Sequence, residues 1–127
     1  MLQLDYRSGE SLYVQIKENF KRLILSKSLK EDELLPSVRA LASSLAINVN
    51  TVQRAYRELE QEGYIYSIPG KGNFVSRKIE DAKQKSVAEI LEELSRLVEK
   101  AEAFGVACDE FQNMVKELYV DKGGKES

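Results

Sequence analysis

The chain contains no histidine and only one cysteine. Without histidine it lacks the commonest general base at neutral pH and the commonest metal ligand. Neither a Ser–His–Asp nor a Cys–His site can be assembled. Carboxylate or lysine chemistry stays open on composition, but no motif points to it. The expectation is a protein that is not an enzyme and needs no cofactor or metal. Cys108 has no partner for an internal disulfide and no metal-site spacing around it. No apolar run approaches the ~18 residues of a membrane span, and the opening MLQLDYRSGE lacks the basic-then-apolar order of a signal peptide. The expected location is the cytoplasm, without a membrane partner.

What is present is about one domain's worth of chain, 127 residues, enough for one core or one core with a helical appendage. The net charge of −2 is a poor match for a nucleic-acid partner until it is divided along the chain. Residues 1–78 carry 12 Lys and Arg against 9 Asp and Glu, a net of +3; residues 79–127 carry 7 against 12, a net of −5. Such asymmetry separates a binding half from a non-binding half. At +3, the placement of each charge matters more than the sum.

Periodicity supplies the elements. Leu12, Ile16, Phe20, Leu23 and Ile24 recur at helical spacing and predict a first helix over 10–27, with Ser8 or Ser11 as its cap. Residues 28–34 read as a polar loop, and Pro36 keeps Leu35 out of a helix. Ser37 opens a second helix from Val38 to Leu45. Ala46-Ile47-Asn48 is a tight turn, with Ile47 expected to be buried. Asn48 caps a third helix from Val49 to Gln61, ended by Gly63. Tyr64–Ile68 and Asn73–Arg77 read as the two strands of a hairpin around Pro69-Gly70-Lys71-Gly72. Residues 80–86 are a charged linker or a helix start. Two more apolar stripes predict a helix from about Ala82 to Phe104 and another from Asp109 to Val120, before a disordered tail at 122–127.

The fold class is therefore mainly α: a winged helix-turn-helix over residues 8–78, then a two-helix dimerisation domain over 80–121. In the third helix Val52, Ala55, Tyr56 and Leu59 face inward. Val49, Asn50, Gln53 and Arg54 lie off that face, with Thr51 at its border. Asn and Gln can pair with adenine, Arg with guanine, Thr with phosphate, and Val can touch a thymine methyl. The helix start, at Asn48, attracts phosphate through its free amides. Lys71 between Gly70 and Gly72 suits close approach to a phosphate. Arg39, near the start of the second helix, is a further phosphate or base candidate. Each has a plainer alternative: a solvated helix face, a solubilising lysine, a surface ion pair.

The stretches SLYVQIKENFKRLILSKSL and LPSVRALASSLAINVNTVQRAYRELEQEGYIYSIPGKGNFV resemble the DNA-binding half of the GntR family of bacterial transcription regulators. The resemblance covers about residues 10–76 and rests on LYxQI, LPSxRxLA, NTVxRAYxxLExEG and GxGxFV. It implies a winged helix-turn-helix regulator that binds a palindromic DNA operator as a homodimer. It assigns DNA contacts to Arg39, Asn50, Thr51, Arg54 and the Gly70-Lys71-Gly72 tip. Many members carry Ser-Arg where this chain has Asn48-Val49, so the usual arginine contact is absent and the operator preference is expected to shift. The short C-terminal part, LLxxLVxxAxxFGV followed by DEFxxMVKEL, is similar to the helical module of the YtrA type, which lacks a large effector-binding domain. Ala107 stands where a capping Ser or Thr is usual, leaving Asp109 as the substitute cap.

Dimerisation is also expected from the pattern itself. Val87, Ile90, Leu91, Leu94, Leu97, Val98, Ala101 and Phe104, with Phe111, Met114, Val115 and Leu118, make more apolar seam than one small domain covers. A second copy buries it; the alternative is that the helices fold back on their own winged domain. A small-molecule response is expected to be weak, absent or sited between domains. Cys108 is a redox sensor or a plain tolerated cysteine. The function expected is a DNA-binding transcription regulator, read as a repressor. The alternative is a winged helix used for protein–protein interaction.

Overall fold

The computed structural model describes residues 2–123. The order is α1 (Leu12–Leu25), α2 (Val38–Leu45), α3 (Val49–Gln61), β1 (Ile65–Ile68), β2 (Gly72–Val75), α4 (Ile79–Ala103) and α5 (Cys108–Gly123). The chain divides into two units, Met1–Lys85 and Ser86–Ser127.

In the first unit the inward stripes of three helices meet. Ile16, Phe20 and Ile24 of α1 pack with Leu41 and Ala42 of α2 and with Val52, Ala55, Tyr56 and Leu59 of α3, all buried. Phe20 meets Tyr56 edge-on at 5.6 Å. The Tyr56 hydroxyl donates to Pro36 O at 2.6 Å, giving the one polar atom of a buried ring its partner. Burial raises the Tyr56 pKa, so the ring stays neutral.

The helix starts follow their caps. Ser37 Oγ accepts from Ala40 N at 3.0 Å, and Asn48 Oδ1 accepts from Asn50 N at 2.7 Å. α1 begins at Leu12, later than the position 10 expected. Ser11 holds its N-cap place without a side-chain bond, while Ser8 Oγ accepts from Glu10 N in the turn before it. α5 starts at Cys108, one residue earlier than expected, and Asp109 is not its N-cap: Ala107 N donates to Glu110 Oε1 at 3.3 Å, half of a capping box. α4 starts at Ile79, so 80–86 is a helix start and not a linker, anchored by buried Ala82. α5 runs on to Gly123, taking in the start of the segment expected as a tail; residues 124–127 lie outside the described residues.

The turn between α2 and α3 closes by Ile47 N donating to Ala42 O at 3.0 Å, with Ala46 left-handed at φ 57°. Ile47 is only half-buried. Gly63 holds the matching place after α3 at φ 87° without steric cost. Ala46 bears that cost through its Cβ, while glycine would bear more backbone entropy on folding. Ala46→Gly is therefore expected to stabilise the unit by roughly 0.5–1 kcal/mol, read as a rise in the thermal midpoint. A lower midpoint would contradict this account of the turn.

The hairpin pairs β1 and β2 antiparallel from Ile65↔Val75 to Ile68↔Gly72. Residues 28–34 do not form the plain loop expected. Leu34 makes a bridge to Phe74, Leu35 N donates to Asn73 O, and Val75 N donates to Glu33 O. The wing thus has a third, short rung on its outer edge.

Candidate nucleic-acid interface

α3 turns Val52, Ala55, Tyr56 and Leu59 to the core and leaves Val49, Asn50 and Gln53 exposed, with Thr51 half-buried. Asn50, Thr51 and Arg54 come together with Ser11, Leu12 and Tyr13 around one shallow notch where α1 and α3 begin. The Asn48 Oδ1 is taken by its cap bond, so its share of the surface is its Nδ2 and its backbone. Arg39 is exposed in the first turn of α2. Arg54 lies with its guanidinium carbon 3.8 Å from the centre of the Tyr13 ring.

The wing meets α3 near its far end, where Ser67 Oγ donates to Glu60 Oε2 at 3.2 Å. Its tip is a turn in which Lys71 N donates to Ile68 O at 2.9 Å, with Pro69 second and Gly70 third at φ 79°. Those residues and that sign of φ are the signature of a type II turn. Lys71 is exposed at the tip. Gly72 has φ 127°, and a Cβ there would stand 2.9 Å from Leu34 Cδ1. Behind the tip, Tyr66 stacks on Phe74 at 5.5 Å. Tyr66 Oη and Arg77 Nε each donate 2.7 Å bonds to the Asp32 carboxylate, holding it below its usual pKa.

Ion pairing decides which cations are available. Lys17 Nζ donates 2.8 Å bonds to Glu58 and Glu62, and Lys21 also reaches Glu62. Burial alone would pull the Lys17 ammonium down, but the two carboxylates outweigh it and its pKa is raised. Burial likewise pushes Glu62 up, and Lys17 and Lys21 outweigh it, so Glu62 is held low; Lys17 does the same for Glu58. This clasp joins α1 to α3, persists through neutral pH, and loosens as pH falls through the lowered carboxylate values. It also removes two lysines from the charge that can attract phosphate. Among the described residues as far as Lys78, Arg39, Arg57 and Lys71 are exposed without an ion-pair partner, as are Arg7, Arg22, Lys27, Lys30 and Lys78.

The clasp, the outer rung and the Tyr13–Arg54 stack escape sequence reasoning. Each joins residues far apart in the chain, and Tyr13 reads there only as a neighbour of an apolar stripe. In the second unit Val106 N donates to Ala101 O and turns α4 into α5. Leu94, Val98, Ala101, Phe111 and Val115 line a groove of about 780 Å³ between these helices. Val87, Ile90, Leu91, Leu97, Phe104, Met114 and Leu118 are exposed. Among the described residues, no group of side chains is arranged to hold a metal ion, and no helix is long and apolar enough to cross a membrane.

Two helices joined by a tight turn, the second capped and polar on its outer face, and a hairpin with a basic glycine-bounded tip define a winged helix-turn-helix DNA-binding protein. Residues 12–75 match the family of bacterial regulatory proteins known as gntR, and the chain belongs to the GntR family of transcription regulators. It is 39% identical over 132 residues to the HTH-type transcriptional repressor YtrA of Bacillus subtilis, covering 100% of this chain and 99% of that one. Among solved structures, a transcriptional antiterminator from Listeria monocytogenes matches with a TM-score of 0.75 and 29% identity, over 100% of this chain and 96% of the other. YtrA from Sulfolobus acidocaldarius, a GntR-family transcription factor, matches with a TM-score of 0.61 and 31% identity, over 74% of this chain and 97% of that one. The similarity to YtrA-type regulators thus extends past the winged unit.

Proposed function

We propose that this regulator is a repressor that binds a palindromic operator as a homodimer. The observation that carries the DNA reading is the outer face of α3. It offers Val49, Asn50 and Gln53 to solvent beside Thr51 and Arg54, from a helix fixed on its other side by a buried core. These are the residue types that read base edges in a major groove. The wing tip from Gly70 to Gly72, with Arg39, supplies backbone contacts. The 39% identity to a repressor along the whole chain supports the sign of regulation. The apolar residues exposed on α4 and α5 support pairing with a second copy.

The test is binding to a duplex enriched by the full-length protein from a randomised DNA pool, followed by fluorescence anisotropy across a salt series. Affinity is expected to fall steeply as salt rises. Lys71→Ala is expected to weaken binding about equally on enriched and scrambled duplexes, and to lower the salt slope by about 1. A pool with no enriched sequence, or a slope unchanged by Lys71→Ala, would overturn this assignment of the surface.

A further inference from the structure

We infer that Tyr13, on α1, is a positioning residue for Arg54 on the recognition helix, and so sets base discrimination without touching a base. The inference rests on the DNA-binding reading above and adds to it a residue outside α3 and the wing. Arginine is a long side chain with many rotamers, and an unrestrained one on a helix surface presents its fork in many directions. Arg54 is restrained twice. Its guanidinium carbon sits 3.8 Å from the centre of the Tyr13 ring, well inside the ~6 Å range of cation–π attraction. Its Nε donates to Glu58 Oε2 at 3.3 Å, one helical turn further on.

Glu58 is itself fixed, because its other oxygen accepts from Lys17 Nζ at 2.8 Å. The stack and the Nε bond thus hold the guanidinium from α1 and from within α3. Among the described residues, no protein acceptor takes the two Nη groups, and these form the fork that pairs bidentately with guanine or phosphate. Arg54 lines the notch with Ser11, Asn50 and Thr51, beside the other polar residues of the α3 start. Tyr13 is only half-buried, whereas Ile16, Phe20 and Ile24 supply the part of α1 sealed in the core. Its ring packs against the edge of that core as well as against Arg54, so the thermal midpoint of each variant is read beside its binding.

The experiment is a double-mutant cycle on the enriched duplex and on a scrambled one, with thermal midpoints recorded for every variant. Tyr13→Leu keeps an apolar side chain but removes the ring. It is expected to weaken binding to the enriched duplex by roughly 3- to 10-fold, the range of one cation–π contact, and to leave scrambled DNA within about twofold. Tyr13→Phe keeps the ring and is expected to bind like the parent. In an Arg54→Ala background, Tyr13→Leu is expected to cost nothing further. Arg54→Lys, which keeps the charge but not the planar fork, is expected to be equally insensitive to Tyr13.

An equal loss from Tyr13→Leu in the parent and Arg54→Ala backgrounds would overturn the inference by showing a general structural role. An equal loss from Tyr13→Phe would overturn it by showing that the hydroxyl itself contacts DNA. Enrichment of a duplex that parent and Tyr13→Leu bind alike would overturn this inference alone. A pool with no enriched duplex would overturn the DNA reading and this inference with it.

Discussion

Ile90→Glu combined with Leu97→Glu is expected to leave a folded chain that sediments as a 14.4 kDa monomer and binds its operator at least ~100-fold more weakly. Both side chains are exposed in the single chain, Ile90 at 60% and Leu97 at 53%, so placing charge there opens no core. Leu94 and Val98 are less suited to the test, because they line the groove between α4 and α5 and their loss would damage the hairpin itself. Burying one large apolar side chain is worth roughly 1.5–3 kcal/mol. A handful from each chain outweighs the roughly 4–15 kcal/mol that association costs. Two winged units on one palindrome gain because the second contact is intramolecular. Sedimentation velocity and anisotropy on the enriched duplex check both halves of the expectation. A double variant that stays dimeric would move the interface off this face.

Gly72→Ala is expected to lower the stability of the winged unit by roughly 2–4 kcal/mol, with a fall in thermal midpoint on the order of 10–20 °C. Two independent costs combine there. A φ of 127° suits glycine and few other residues, and the added Cβ would stand 2.9 Å from Leu34 Cδ1. The Leu34 backbone is held in the outer rung by its bridge to Phe74, so the collision is relieved only by turning its exposed side chain away from β2. Gly70→Ala is the control. It shares a positive φ, 79°, but nothing lies within 4 Å of its added Cβ. It is expected to cost only about 1–2 kcal/mol. Thermal unfolding of the two variants side by side separates strain from collision, and equal losses would contradict the role given to Leu34.

Ile90, Leu97 and Gly72 mark how much of the structure is legible in the sequence. Ile90 and Leu97 follow from periodicity alone, because an apolar stripe without a cover announces itself at helical spacing. Caps at Ser37 and Asn48 were equally legible, since each bond closes within three residues. Gly72 was legible as a turn residue but not as a packing residue. Its neighbour Leu34 lies far back in a segment whose charges read as loop. The Lys17–Glu58–Glu62 clasp and the Tyr13–Arg54 stack were hidden for the same reason, as no local rule pairs α1 with α3. The helical start at Ile79 was masked by polar residues 80–86, whose one buried member, Ala82, is too small to mark a stripe.

The most direct test of the account is a hydroxyl-radical footprint of the full-length protein on its enriched duplex. Two protected half-sites are expected, related by a two-fold axis and centred about one helical turn, ~34 Å, apart or a multiple of it, because two recognition helices must enter one face of the DNA together. A single unsymmetrical block of protection, or uniform protection along the duplex, would contradict a homodimer reading a palindrome.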